Sequence, residues 1–220
     1  GYDVGATLAR KFIDMLIDDI FQKQGDKHTY QGIPVEIVFA GLFDCARHTP
    51  ASNNDGVDLF ISAFGGLIKG ISVLMGDKSV DQKSALPDTV KNALHLVAAH
   101  ENRPWRSVYC LGGSNDKHKE ELLPGCAEDV GGGLKPNEQK PSAELCRVAL
   151  HRMYRTATMA GVPFPDFQNL QAQSETVAAY FIMQDKVKNK SVAQWTKLYQ
   201  QAVPFNAVSI GAQNRHLDSY

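Results

Sequence analysis

Hydrophobic residues follow helical spacing near the start of this chain and form a continuous run soon afterwards. The spacing predicts an amphipathic helix from residue 6 to about 23. The residues that set it are Leu8, Phe12, Met15, Leu16 and Ile20. The run from Val35 to Phe43 is apolar and contains β-branched residues, which is typical of a buried parallel strand that ends at Asp44.

The rest of the pattern continues this alternation of helices and strands. We expect a helix over 142–160, because Ser142 can cap its start and Gly161 can end it. Further helices are predicted at 57–76, 86–101, 175–185 and 192–201, and extended segments at 105–111 and 121–125. Such alternation predicts an α/β fold with a parallel sheet flanked by helices.

Composition narrows the class of protein. The 220 residues are 43% hydrophobic and 21% charged, which suits one domain with a sizeable core. A net charge of −1 gives no electrostatic case for nucleic-acid binding. No apolar run approaches the roughly 20 residues of a transmembrane span. The four cysteines are widely spaced, so neither a zinc site nor a disulfide framework is indicated, and we expect no metal or cofactor.

The first five residues resemble the turn that holds the nucleophile in many hydrolases. In that turn, which is called the nucleophile elbow, G-x-S-x-G places a serine between a strand and a helix. Here Gly1-Tyr2-Asp3-Val4-Gly5 places Asp3 at the apex, directly before the predicted helix. No strand precedes the turn, so we expect the chain to be the C-terminal part of a longer α/β fold. We assign 1–165 to its core and 166–220 to a helical extension of the same domain.

Candidate catalytic groups lie at three points along the chain. Functional side chains of open α/β sheets lie at the carboxyl ends of the strands, here Asp3, Asp44 and the glycine-rich loop that begins at Gly125. A hydrolase triad runs in the order nucleophile, acid, histidine. The third position, however, contains Cys126-Ala127-Glu128-Asp129 and no histidine.

Four segments in order resemble the α/β-hydrolase family of type VI secretion phospholipase effectors and their uncharacterised relatives. They are GYDVGATLARKF, VFAGLFDCA, ALHLVAAHENRPW and LLPGCAEDVGGGL, within about the first 160 residues. The family typically reads G-F-S-R-G-A-x-x-A-R, G-x-W-D-T-V, A-L-x-x-D-E-R-R and F-P-G-x-H-S-D-V-G-G-G-Y in the corresponding places. The last segment is the most specific of the four.

The resemblance implies roles for individual residues. Asp3 stands at the position of the nucleophilic serine, Asp44 matches the triad aspartate, and Ala127 stands where the family has its histidine. The remaining positions that match or adjoin the family's site are Gly5, Arg10, Glu128, Asp129, Gly131 and Gly132. We expect Arg10 to pair with a carboxylate beneath the site, such as Asp129. Glu128 and Asp129 could orient a base or bind a metal, although helix capping and turn formation are at least as good an interpretation.

The missing histidine leaves the catalytic base open. His100 is the leading candidate, at the end of the helix predicted over 86–101, where the family has an acidic residue. The alternative is a histidine that is simply favoured by the helix dipole. His48, in the loop after Asp44, is a further candidate, whereas His95 is interpreted as a packing or surface residue.

The resemblance implies a lipid esterase, a phospholipase delivered as an antibacterial type VI effector. Its partners would be phospholipid at a membrane surface, and a secretion-apparatus spike or an immunity protein. The protein would be located in the bacterial cytoplasm before secretion and would then be delivered into a target cell. Because two triad positions depart from the family, two alternatives stay open. One is a catalytically silent binding or scaffold domain, and the other is a hydrolase with an aspartate nucleophile acting on alkyl carbon.

Overall fold

A computed structural model describes residues 1–48, 85–103, 106–112, 115–133 and 144–203. The chain begins with helix α1, Val4–Met15, whose buried side is formed by Ala6, Thr7, Arg10 and Ile13. A π-helical turn, Leu16–Ile20, continues it, so the long helix predicted at this place is confirmed. Thr7 Oγ1 donates to the Ala46 carbonyl at 2.8 Å and ties α1 to the chain beyond the central sheet.

The central sheet has three parallel strands. In their order across the sheet they are β4, Ala40–Phe43, β6, Ala93–Ala98, and β8, His118–Leu123. All six residues of β6 are buried, as the middle strand of a covered parallel sheet requires. Beyond β4, Tyr2 forms a parallel bridge with Phe43, so the first residues of the chain run alongside this strand.

Smaller antiparallel units flank this sheet. Strands β1, Gln22–Gln24, β2, Lys27–Tyr30, and β3, Ile33–Val35, form a meander after α1. Strand β5, Ala46–His48, pairs with β7, Arg106–Val108, and brings residue 106 back towards the end of β4. A hairpin near the end of the described chain consists of β9, Lys186–Val187, and β10, Lys190–Ser191.

The remaining helices lie after β8. They are α2, Ala127–Gly131, α3, Glu144–Met159, α4, Phe167–Gln173, α5, Glu175–Ala179, and α6, Val192–Ala202. Ser191 caps α6 by accepting from the amide of Gln194, whose side chain in turn accepts from the amide of Ser191. None of the described helices is long and apolar enough to cross a membrane.

Two hydrophobic clusters form the core. One lies between α1 and the sheet and includes Ala6, Ile13, Leu42 and Val90. The other lies between the sheet and the helices after β8, and includes Leu94, Leu96, Val130 and Met153. The chain therefore has a mixed α/β fold in which helices flank a parallel sheet, as the alternating pattern predicts.

Several predicted elements differ from the structure. The helix predicted over 86–101 is wrong, because its apolar residues belong to β6, where burial on both faces removes any polar alternation. The run from Val35 to Phe43 is divided between β3 and β4, although the strand does end at Asp44. The predicted loop after Gly125 contains helix α2. The helix predicted over 57–76, the residue Ser142 and Trp105 lie outside the described residues.

Candidate functional site

Asp3 occupies a sharp turn between an extended segment and α1. The Asp3 amide donates to the Phe43 carbonyl at 3.0 Å, and the backbone then turns at φ 54° and ψ −127° into the helix. Positive φ is uncommon for a residue other than glycine, and such strain is concentrated at functional sites. The Asp3 side chain makes no capping hydrogen bond to α1, so its carboxylate is directed to other partners.

Asp44 lies directly after β4 and also has a positive φ, of 41°. Its Oδ1 accepts from the Ala98 amide at 2.9 Å, at the end of the neighbouring strand. Burial raises the pKa of this carboxyl, against the opposing effects of the Ala98 hydrogen bond and the Arg106 charge. The structure thus brings Asp44 to the edge of the sheet where Asp3 lies, as the sequence predicts.

Arg106 joins the two aspartates. Its Nη2 lies 3.2 Å from Asp3 Oδ1 and 3.2 Å from Asp44 Oδ2. Its Nη1 donates to Glu101 Oε2 at 3.4 Å. The Arg106 side chain is 3% exposed and that of Asp44 4%, whereas the Asp3 side chain is 25% exposed. The guanidinium is therefore buried among three carboxylates, and solvent reaches the site from the side of Asp3.

A second arginine extends this carboxylate–arginine network, which consists of Asp3, Asp44, Glu101, Arg103, Arg106 and Glu128. Arg103 donates from Nε to Glu101 Oε1 at 2.7 Å, and its Nη1 lies 2.9 Å from Glu128 Oε1. Burial alone would raise the pKa of Glu101, but the hydrogen bonds and charge of Arg103 outweigh it and lower that pKa to about 2. Arg103 also lowers the pKa of Glu128 against the effect of burial. The network thus contains four carboxyl groups and two guanidinium groups.

Helix α2 lies beside the carboxylate–arginine network. The Ala127 amide donates to Glu101 Oε2 at 3.3 Å, and the Cys126 amide donates to Asp129 Oδ2 at 2.9 Å. Asp129 therefore caps its own helix, as the capping interpretation predicts. Glu128 instead pairs with Arg103. Burial raises the pKa of the Cys126 thiol to about 11, which keeps it protonated and a poor nucleophile at neutral pH.

Gly131, in the glycine-rich segment, allows the close approach of Tyr2. A Cβ at Gly131 would lie 2.2 Å from the Tyr2 ring. Tyr2 is the residue before Asp3, and its ring centroid lies 5.7 Å from the Arg106 guanidinium carbon. Gly5 and Gly132 have open space where a Cβ would be, and Gly132 has a φ of +79°. Of the three, Gly131 is thus the one on which the packing at the elbow depends.

His100 lies close to the site but does not meet the aspartates. It follows β6 in a turn, its Nδ1 accepts from the Gly125 amide at 2.9 Å, and its ring packs edge-on against Tyr199. Among the described contacts of His100, none is with Asp3 or Asp44. His95 is fully buried in β6, which confirms its interpretation as a packing residue. The side chain of His48 lies outside the described part of the chain.

Arg10 has different partners from the predicted one. Its Nη1 donates to the carbonyls of Tyr109 and Cys110, and its guanidinium carbon lies 3.6 Å from the Tyr109 ring centroid. The predicted pairing with Asp129 is wrong, because Arg10 supports the loop after β7 and Asp129 caps α2. Among the described residues, no group of three or more histidine, cysteine, aspartate or glutamate side chains could hold a metal ion.

Arg106 is the residue between the two aspartates that the sequence analysis did not identify. The one signal for it in the sequence is a single arginine in the otherwise uncharged segment from residue 105 to 111, since a buried arginine requires a partner. Chemically, a guanidinium can hold two carboxylates together, but it cannot accept a proton at any ordinary pH. Between Asp3 and Asp44 the structure therefore has a fixed cation in the place where a triad has its histidine.

Comparisons with known proteins find a solved structure of similar fold but do not assign the chain to a family. No protein-family model and no curated protein matches the chain. A solved structure described as the crystal structure of an uncharacterized protein from Pseudomonas aeruginosa is similar, with a TM-score of 0.68 and 21% sequence identity. The match covers 99% of this chain and 29% of that chain, so this chain spans less than a third of its neighbour's length. At this identity the likeness concerns the fold alone.

Proposed function

We propose that the chain is an α/β-hydrolase-fold domain, of the kind found in type VI phospholipase effectors, whose catalytic centre has become a silent charge network. One observation carries the proposal: Arg106 Nη2 lies 3.2 Å from both Asp3 and Asp44. In a working triad, a histidine between nucleophile and acid takes up and returns a proton. A guanidinium between the same two residues can do neither, and Asp3 offers no hydroxyl to activate.

The geometry supports this silent domain better than the lipid esterase. An esterase would need a serine at position 3 and a base facing it, and an aspartate that attacked an ester would form a mixed anhydride. The elbow backbone, the buried strand-end acid and the Gly125 to Gly133 segment favour descent from a hydrolase. Such a domain would act by binding, as part of a longer effector with phospholipid, a spike or an immunity protein as partner.

Fatty-acid release from phospholipid vesicles tests the proposal. We expect no release above background from the native protein, and none from Asp3→Ser, because that variant gains a hydroxyl without a base. Asp3→Ser/Arg106→His places an imidazole between the hydroxyl and Asp44. At a temperature where circular dichroism shows that this variant is folded, we expect it alone to react covalently with a fluorophosphonate probe. Equal labelling of Asp3→Ser would contradict the proposal, as would lipid hydrolysis by the native protein that Asp3→Asn abolishes.

A second candidate is an aspartate-nucleophile hydrolase that acts on alkyl carbon. It is favoured by the partial exposure of the Asp3 carboxylate at a strained apex, beside the Arg106 guanidinium. Attack on an alkyl halide would form an alkyl ester on Asp3 and release halide. Attack on an epoxide would open the ring to a hydroxyalkyl ester on Asp3, whose oxygen stays on the neighbouring carbon and takes up a proton from water. Mass spectrometry after incubation with such probes should then show an adduct on the peptide containing Asp3, and none in Asp3→Asn.

A further inference from the structure

A lysine-rich hairpin and the helix packed against it have several exposed basic and apolar side chains. We call six of these residues the hairpin surface: Lys186, Val187, Lys188, Lys190, Trp195 and Leu198. Lys188 and Asn189 have φ values of 47° and 63°, which build the tight turn between β9 and β10 and place Lys188 at its tip. Trp195 Nε1 donates to the Val187 carbonyl at 2.8 Å, and Lys190 Nζ lies 5.3 Å from the Trp195 ring centroid. These contacts fix the hairpin against α6.

The surface is strongly cationic for a protein of nearly neutral charge. Residues 185–203 contain four lysines and one acidic residue, Asp185, whereas the whole chain has a net charge of −1. The three lysines of the hairpin surface, Lys186, Lys188 and Lys190, are all exposed, and so is Lys197, which lies on α6 outside that surface. Within the described part of the chain, none of them forms an ion pair with a carboxylate. Their charge is therefore available to a partner.

Exposed apolar side chains lie among these lysines. Val187 is 43% exposed, Leu198 42% and Trp195 38%. Val187 is paired with Lys190 across the hairpin, and Leu198 lies one helical turn after Trp195. Because buried positions of α6 such as Val192 and Thr196 face inwards, Trp195 and Leu198 form the outer side of the helix.

We propose that the hairpin surface docks onto an anionic phospholipid bilayer. Lysines next to the headgroups are attracted by the negative surface potential, and aliphatic side chains enter the boundary of the acyl chains. A tryptophan whose N–H is satisfied by a carbonyl is suited to the same interface. A nucleic acid would satisfy the lysines but would leave Val187 and Leu198 in water, so the combination favours a bilayer.

Vesicle binding of the full chain tests this docking. We expect co-sedimentation with vesicles that contain phosphatidylglycerol and little with phosphatidylcholine alone, and a fall in binding as salt rises. Lys188→Gln/Lys190→Gln should weaken the partition coefficient at least about tenfold, at roughly 1 kcal/mol for each lysine near the surface. Leu198→Ser should weaken the binding that persists at high salt.

The β1–β2 hairpin supplies a matched control, because Lys23 and Lys27 are also exposed lysines on a short hairpin. Lys23→Gln/Lys27→Gln removes the same charge and should bind vesicles like the native protein. In a Trp105→Phe background, Trp195 fluorescence should shift to the blue on anionic vesicles. Equal losses in the two lysine pairs would overturn the proposal, as would equal binding to neutral vesicles or tighter binding to RNA than to vesicles.

The docking and the silent charge network share no residue. Fatty-acid release by the native protein overturns the proposed function, whatever its vesicle binding. Anionic-vesicle binding that Lys188→Gln/Lys190→Gln retains in full overturns the docking, whatever the fatty-acid release.

Discussion

Asp3 and Asp44 share one nitrogen of Arg106, at 3.2 Å from a carboxylate oxygen of each. Both aspartates also have positive φ, 54° and 41°, where a side chain is strained. Strain of this kind costs on the order of 1–3 kcal/mol for each residue and persists only where the surroundings enforce it. Here the strain coincides with the charges, so the ion pairs help to hold two unfavourable turns in place.

Removing the cation should destabilise the fold strongly. In Arg106→Met, Asp44 and Glu101 lose a buried partner, and unpaired buried charge costs about 3–5 kcal/mol. Urea unfolding followed by circular dichroism should show this as a lower midpoint.

A double-mutant cycle separates the lost ion pair from the lost side-chain packing. Asp44→Asn should lower the free energy of unfolding less in the Arg106→Met background than in the native protein. In that background the substitution removes a buried carboxylate that has lost its cation. Additive free energies of unfolding would mean that the Arg106–Asp44 pair does not contribute.

Substitution by alanine should change stability in opposite directions at Gly131, in the glycine-rich segment, and at Gly5, in the turn that contains Asp3. In Gly131→Ala, the new Cβ meets the Tyr2 ring at 2.2 Å, so Tyr2 and with it the elbow must move. Such overpacking costs about 1–3 kcal/mol. Gly5→Ala is the control, since its Cβ meets nothing within 4 Å in an exposed turn of α1. It should stabilise the protein by up to about 1 kcal/mol, and a similar loss in both variants would contradict this account.

Local patterns of the sequence predict much of the fold and part of the site. The helix after Asp3, the strand that ends at Asp44 and the helix over 144–159 follow from periodicity, because each is a single element with its own boundary residues. Strand β6 was mistaken for a helix because all of its residues are buried, and a run that is apolar throughout has no period to distinguish the two structures.

The network at the site depends on contacts that no local pattern contains. Asp3 and Asp44 could be placed at one edge of the sheet because both follow parallel strands. Arg106 reaches them only because β7 pairs with β5 in antiparallel register, and neither strand has more than three residues. The predicted position of His100 is also wrong, because the prediction places it at the end of a helix and the structure has strand β6 there.

The Glu101 carboxylate should make stability depend on acid pH. Its pKa in the folded protein is about 2, below its ordinary value of 4.5, so the stabilisation is present above pH 4.5 and is lost as the pH falls towards 2. The lost contribution is on the order of 3 kcal/mol, since each pKa unit corresponds to about 1.4 kcal/mol. The free energy of unfolding, measured at several values of pH from 6 to 2, should fall less steeply in Glu101→Gln than in the native protein. Parallel curves for the two proteins would show that Glu101 has no such role.

The orientation of His95 should be visible as a single tautomer. Its Nε2 accepts the Cys45 amide at 2.9 Å, so that nitrogen carries no proton, and Nδ1 must donate to Glu120 Oε1, also at 2.9 Å. Both side chains are fully buried, and Glu120 also accepts the Leu111 amide. Since Cys45 follows Asp44, this pair fixes the backbone beside the site.

Long-range proton–nitrogen correlation spectra of the imidazole test this assignment. A neutral ring protonated at Nδ1 is expected, and a proton on Nε2 would contradict it because the buried Cys45 amide would lose its acceptor. Glu120→Gln keeps an oxygen that can accept from Nδ1 and should keep the tautomer. Glu120→Leu removes that acceptor from two buried donors and should cost about 1–3 kcal/mol for each donor left unsatisfied.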